Sequence, residues 1–225
     1  VTTRITCLGD SLTRAQFSVD YLDLLGRRHP PGDLQLVRFG ANGDFAYNLL
    51  QRLDAVIANP PDVITVLIGT NDARASLAGY RVDKAMKRKQ LLERPSAGWF
   101  QQCLEVVVER LRAETDATIG LLSLPVLGQQ LDGAAAQASQ RYSRMIAEVA
   151  ATNKVTYLPL HESQIEELRQ VDPPPIPYQE VPPPQRASAS SSNTPCCAAA
   201  STRSRGAETS YSRPTTSTRT AAAPP

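Results

Sequence analysis

Ile5-Thr6-Cys7-Leu8 runs without a break into Gly9-Asp10-Ser11-Leu12-Thr13, and the reading of this junction decides the fold. A short run that is almost wholly apolar suits a strand buried on both faces. Directly after it, Gln16 to Arg28 carries apolar residues about three and four apart, the period of a helix. A doubly buried strand followed at once by a helix is the building unit of a parallel sheet covered by helices. Cys7, inside the apolar run, reads as a small buried hydrophobe.

The unit recurs along the chain. Leu34 to Phe39, Val63 to Ile68, Thr118 to Leu124 and Val155 to Leu158 are strand candidates, while Phe45 to Ala58, Trp99 to Glu114 and Ala134 to Ala151 show helical periodicity. Asn59-Pro60-Pro61 stops the second of these helices before the third strand, because proline lacks a donor and restricts its predecessor. With right-handed crossovers the pattern predicts an α/β protein, a three-layer α/β/α sandwich around a five-stranded parallel sheet. Ligands of such sheets bind outside the carboxyl ends of the strands. One span, Ala73 to Gly98, breaks the alternation; it holds Lys84, Lys87, Arg88 and Lys89 and reads as a partly helical insertion, lying over the site or simply solvated.

Composition divides the chain in two. Of the 45 residues from Val181 to Pro225, 37 are Ala, Ser, Pro, Thr or Arg, too few apolar groups to offset the entropy of ordering. Pro173-Pro174-Pro175 and Pro182-Pro183-Pro184 precede or open this segment. The expected organisation is a domain over 1–172 and a disordered tail over 173–225, with a short helix in the stretch after Leu158. The tail carries five Arg and one Glu, so of the net +2 the first 180 residues hold −2. The sequence pI of 8.4 is therefore no sign of a nucleic-acid-binding domain. Cys7, Cys103, Cys196 and Cys197 have no zinc-site spacing. No run reaches the ~18 apolar residues of a membrane span, and the first residues show no leader pattern, so a cytoplasmic location is expected.

Three strand ends carry the polar residues of interest. Ser11, between the first strand and its helix, can present a hydroxyl beside free backbone N–H groups, or can cap the helix. Gly40 and Gly43, in Phe39-Gly40-Ala41-Asn42-Gly43-Asp44, allow a close backbone approach to a ligand or a tight turn. Asn71, in Gly69-Thr70-Asn71-Asp72, offers uncharged donors to an oxygen that turns negative during acyl transfer; turn chemistry is the other reading.

Together these junctions resemble the SGNH, or GDSL-like, hydrolase family of esterases and lipases, over roughly residues 4–160. Gly9-Asp10-Ser11-Leu12 looks like the family's first block, FGANGD its second and Gly69-Thr70-Asn71-Asp72 its third. The resemblance implies a flavodoxin-like strand order and a catalytic set in which Ser11 is the nucleophile, with Gly40 N–H and the Asn71 amide as oxyanion donors. It places Asp10, Asn42 and Asp72 around the substrate, with Asp10 organising the first loop. The implied reaction is hydrolysis of a small carboxylic ester, with no metal and no organic cofactor.

The pattern breaks at the base. The family uses an aspartate followed three residues later by histidine, and this chain has only His29 and His161. His29 belongs to the opposite end of the sheet. His161 follows the fifth strand and is the candidate base, or else a solvated or capping histidine. A tail of this composition is what a GC-rich gene gives in a wrong reading frame. The expectation is a frameshifted or truncated hydrolase that has lost its last catalytic block and final helix, with one sheet face left poorly covered. Two alternatives stand beside it: a noncatalytic protein that binds a small ligand in an esterase-like cavity, and an inactive product. Translating the encoding DNA in its other frames downstream of about residue 170 should yield an aspartate, a histidine three residues on and an amphipathic helix; no such frame refutes the idea.

Overall fold

In chain order the elements are β1 (Thr3–Gly9), α1 (Ser11–Arg14), α2 (Tyr21–Arg27), β2 (Leu34–Gly40), α3 (Ala46–Leu50), α4 (Asp54–Ile57), β3 (Val63–Leu67), α5 (Thr70–Ala75), α6 (Val82–Lys89), α7 (Ala97–Glu114), β4 (Thr118–Leu122), α8 (Ala134–Asn153), β5 (Thr156–Leu158) and α9 (Leu160–Arg169). They come from a computed structural model that describes residues 2–16, 18–170 and 178. The expected tail lies, Tyr178 apart, outside the described residues, as does any helix after α9.

All five strands pair in parallel, in the order β2-β1-β3-β4-β5. This is the flavodoxin-like order, and the three-layer expectation holds. Pairing sets Gly9 opposite Gly40 on one side and Leu67 on the other, so β1, β2 and β3 end level with one another.

One sheet face is sealed. Leu8, Ile64, Val66, Ile119 and Leu121 point into a core shared with α3, α7 and α8. α7 faces it with Phe100, Cys103, Leu104, Val107, Val108 and Leu111, a spacing of three and four that lines a single helix stripe. Within α8, Ser139 and Ser143 interrupt the apolar stripe because their hydroxyls accept the Leu127 and Leu124 N–H groups. The other face is thinner. Ile5, Leu36, Val63, Thr65, Leu122 and Leu158 are only half-buried there, and α2 packs along β2 at its margin. Cys7 is buried on this side, as expected.

Two expected helices differ. Instead of one helix over Gln16–Arg28, the chain leaves α1 through Ala15 in the left-handed region (φ 56°) and restarts only at Tyr21, where Asp20 accepts the Asp23 N–H. The expected Phe45–Ala58 helix is two short ones, α3 and α4, parted at 51–53, and at the break Arg52 turns back toward the strand ends.

Glycine is required at the strand ends by contact. A Cβ on Gly40 would stand 2.3 Å from Arg14 N, 2.7 Å from Thr13 C and 2.8 Å from Asp10 O, all backbone atoms. Gly69, at φ +117°, faces the Phe100 ring at 2.6 Å from such a Cβ. Gly40→Ala is expected to cost about 2–3 kcal/mol in urea unfolding, since backbone cannot move aside as a side chain can. Gly98, inside α7 with open space around it, is the control: Gly98→Ala should gain about 0.5 kcal/mol through helix propensity.

Candidate active site

The first strand end is built around Asp10. Its carboxylate accepts the Leu12 N–H at 2.9 Å and so caps α1, and its carbonyl accepts the Arg14 N–H at 3.0 Å. Ser11 is thereby the first residue of a one-turn helix, half-buried, and its hydroxyl has no hydrogen-bond partner among the described residues. Its own N–H is one of the free N-terminal donors of that turn.

At the second strand end the Cα of Gly40 packs closely against the α1 backbone. Gly43, at φ +72°, stands at the loop tip with its N–H unpartnered among the described residues. Asn42 is exposed and donates to Gln16 Oε1 at 2.6 Å, tying this loop to the chain leaving α1.

The third end meets the other two. Asn71, 4% exposed, donates through Nδ2 to the Asp44 carbonyl at 2.9 Å and to Asp10 Oδ2 at 3.3 Å. Asp72, also buried, accepts the Ala46 N–H at 3.2 Å. The structure thus brings Asp10, Asn71 and Asp72 together on one rim, with Ser11 adjacent in sequence to the first.

A half-buried ion cluster braces the rim. Arg52 donates to Gly9 O at 2.7 Å, Phe39 O at 2.9 Å and Asp44 Oδ2 at 2.9 Å, and lies over the Phe39 ring. Lys89, from α6, holds Asp44 Oδ1 at 2.7 Å. Neither cation was singled out as part of the site by sequence pattern. The signal for Arg52 was a charge inside an otherwise apolar helical stretch, and for Lys89 its place in the basic run of the insertion.

The rim also contains two buried carboxyls, Asp10 and Asp72. Burial pushes Asp10 up to about 7; the Asp44 carboxylate adds to this, while the Leu12 N–H and Arg74 oppose it. Asp72 is likewise pushed up to about 7, chiefly by burial, with Asp10 adding and the Ala46 N–H opposing.

The structure does not bring His161 to Ser11. His161 opens α9, buried rather than solvated; its N–H donates to Ser123 Oγ at 2.8 Å and its Nδ1 stands 3.1 Å from Leu124 O. Because a carbonyl can only accept, Nδ1 carries the proton in that bond. Nε2 is buried without a partner among the described residues. β5 lies three strand steps from β1, about 14 Å at ~4.8 Å per step. Glu162, beside it, accepts from Ser123 and Tyr157. His29 is exposed after α2, away from this rim.

A serine opening a helix at the end of β1, with backbone N–H groups and an asparagine amide on the same rim, is the layout of an α/β acyl hydrolase. The chain belongs to the GDSL-like Lipase/Acylhydrolase family, whose model matches residues 7–187. Similar solved structures include the acetylxylan esterase Axe2 from Geobacillus stearothermophilus, at 18% identity and a TM-score of 0.62, over 75% of this chain and 81% of that one. The acetyl xylan esterase AlAXEase is similar at 18% identity and a TM-score of 0.60, over 72% and 80%. Catalytic mutants of Axe2 at a serine, an aspartate and a histidine are among the matching structures. No curated protein matches the chain significantly.

The buried carboxyls set a pH dependence. A carboxyl that binds its proton more tightly folded than unfolded adds stability that is complete below the unfolded value, 3.8, and is lost as pH rises to about 7. The ceiling for one such group is about 4 kcal/mol. The urea midpoint should therefore be lower at pH 8 than at pH 5. Asp72→Asn, which keeps an acceptor for the Ala46 N–H, should shrink that difference by at least about a third.

Proposed function

We propose that this chain is a serine acyl hydrolase whose nucleophile and oxyanion donors are assembled and whose general base is not, so that it cleaves carboxylic esters slowly. Ser11 Oγ attacks the ester carbonyl, losing its proton to solvent water, and the departing alkoxide takes a proton back from solvent. The developing oxyanion takes the N–H groups of Ser11 and Gly43 and the Asn71 amide. We assign Gly43 to this role in place of the expected Gly40 because its N–H has no partner among the described residues and the Asp44 carbonyl, one residue on, already touches Asn71. Collapse of the tetrahedral intermediate forms an acyl-serine and releases the alcohol; water then releases the acid.

The contact between Asn71 Nδ2 and Asp10 Oδ2 carries this reading, since it joins the ends of β1 and β3 beside Ser11. Asn42 stands at the mouth of the site, while Asp10 and Asp72 support the rim from beneath. Loss of a base leaves only what the oxyanion hole and binding supply. Two solved structures of like fold are acetylxylan esterases, so acetyl esters are the first substrates to try. The Ser11 hydroxyl, without a partner among the described residues, favours as second reading a protein that binds an ester-like ligand without turning it over.

A missing base can be supplied from solution. Imidazole should raise p-nitrophenyl acetate cleavage by the wild-type chain at least about tenfold over imidazole alone, as general-base catalysis allows. Ser11→Ala should show no such gain. Equal rates for the two proteins would leave the binding reading in its place.

A further inference from the structure

The insertion between α5 and α7 carries a charge pattern that the acyl-transfer machinery does not use. α6 turns Val82, Ala85, Met86 and Lys89 inward, where Ala85 packs with Phe45 and Leu91 in a small second core. Lys89 fixes the helix to the site loop through Asp44, and Asn48 donates to the Lys89 carbonyl at 2.9 Å. The outward side presents Lys84, Lys87 and Arg88, all exposed and without an ion pair among the described residues. Four other arginines do find carboxylates: Arg27 with Asp23, Arg38 with Asp20, Arg94 with Asp83, Arg110 with Asp54 and Glu114.

Three adjacent like charges at spacings of three and four destabilise a helix. The helix dipole repays cations in the last turn only, which covers Lys87 and Arg88 but not Lys84. The first 180 residues are net −2, so the stripe is a local excess against the charge of its own chain. Its position matters as much as its sign. Arg88 Nη2 lies 3.1 Å from where a Cβ on Gly43 would stand. The guanidinium thus rests over the residue whose N–H serves the oxyanion, one peptide from the Asp44 carbonyl that Asn71 holds.

We propose that α6 is a substrate-recognition face for negative charge: Lys84, Lys87 and Arg88 receive a carboxylate carried on the far part of the ester. This rests on the proposed reading of Ser11 and its donors as an ester site. The preferred substrate class is then the monoester of a dicarboxylic acid, or an ester of a hydroxy acid, with several bonds between the anionic group and the scissile carbonyl. No protein group need change protonation for this, because guanidinium and ammonium groups are charged throughout the neutral range.

Equilibrium binding tests the proposal without requiring turnover. Monomethyl adipate and dimethyl adipate, which differ in one charge, are titrated into the ¹⁵N-labelled full chain and followed by amide shifts. The monoanion should bind about fivefold tighter, the scale of one or two exposed charge pairs, with shifts at Gly43 and Arg88. Lys84→Gln/Lys87→Gln/Arg88→Gln should bring the ratio to about one, and its far-ultraviolet spectrum and melting temperature, compared with the wild type, report that it folds. Equal affinity of the wild type for the two esters overturns the proposal, and so does a preference that survives in the triple variant. Preference without imidazole rescue removes the hydrolase reading and keeps this one; rescue without preference does the reverse.

Discussion

One guanidinium holds the working end of this molecule in shape. Arg52 reaches the last carbonyls of β1 and β2 and the Asp44 carboxylate at once, at the place where two parallel strands run out of ladder partners. Strand-end carbonyls that are half-buried need donors, and here a single planar fork supplies them for both strands. Fixing Asp44 in turn fixes the carbonyl that Asn71 uses, and Asn71 completes the tie to Asp10. The three loops are therefore linked through polar contacts above the sheet as well as through the ladder within it.

Such a linkage bears on what the rim can do. Asn71 arrives with both amide hydrogens engaged, the stronger bond to Asp44 O and the longer one to Asp10. In the proposed reaction an incoming oxyanion would compete only with the longer. When Asp10 is neutral that competitor is a weak acceptor; when it is ionised it is a strong one and also repels the developing charge. Electrostatics of the rim and readiness of the donor set are in this way one property.

Much of the fold was legible because apolar β-branched runs mark strands buried on both faces, and all five strands were found at their expected places with small changes at the ends. The position of Ser11 and Asn71 on one rim was legible for a related reason: in a parallel sheet the residue after a strand has a known address. Helix limits were less so, since Ala15 and the 51–53 break are local turns imposed by tertiary contacts. The bracing cations were not legible as site residues, because Arg52 meets Gly9 and Lys89 meets Asp44 across 43 and 45 residues of sequence. Gly40 and Gly43 sit in one short motif, and only the packing of α1 tells which is enclosed. His161 was expected at the serine, in solvent or as a helix cap; the structure buries it in the first turn of α9, beside β4 and β5.

The unequal covering of the two sheet faces has a consequence for how the molecule breathes. β1, β3 and β4 share the sealed core, while the outer strands β2 and β5 rest on residues that water partly reaches. Local opening follows burial, so backbone amides at the two margins should trade hydrogen with solvent well before those at the centre. The sheet would fray from its selvedges inward, and because Ser11 follows a central strand, its seat would be among the last parts to loosen.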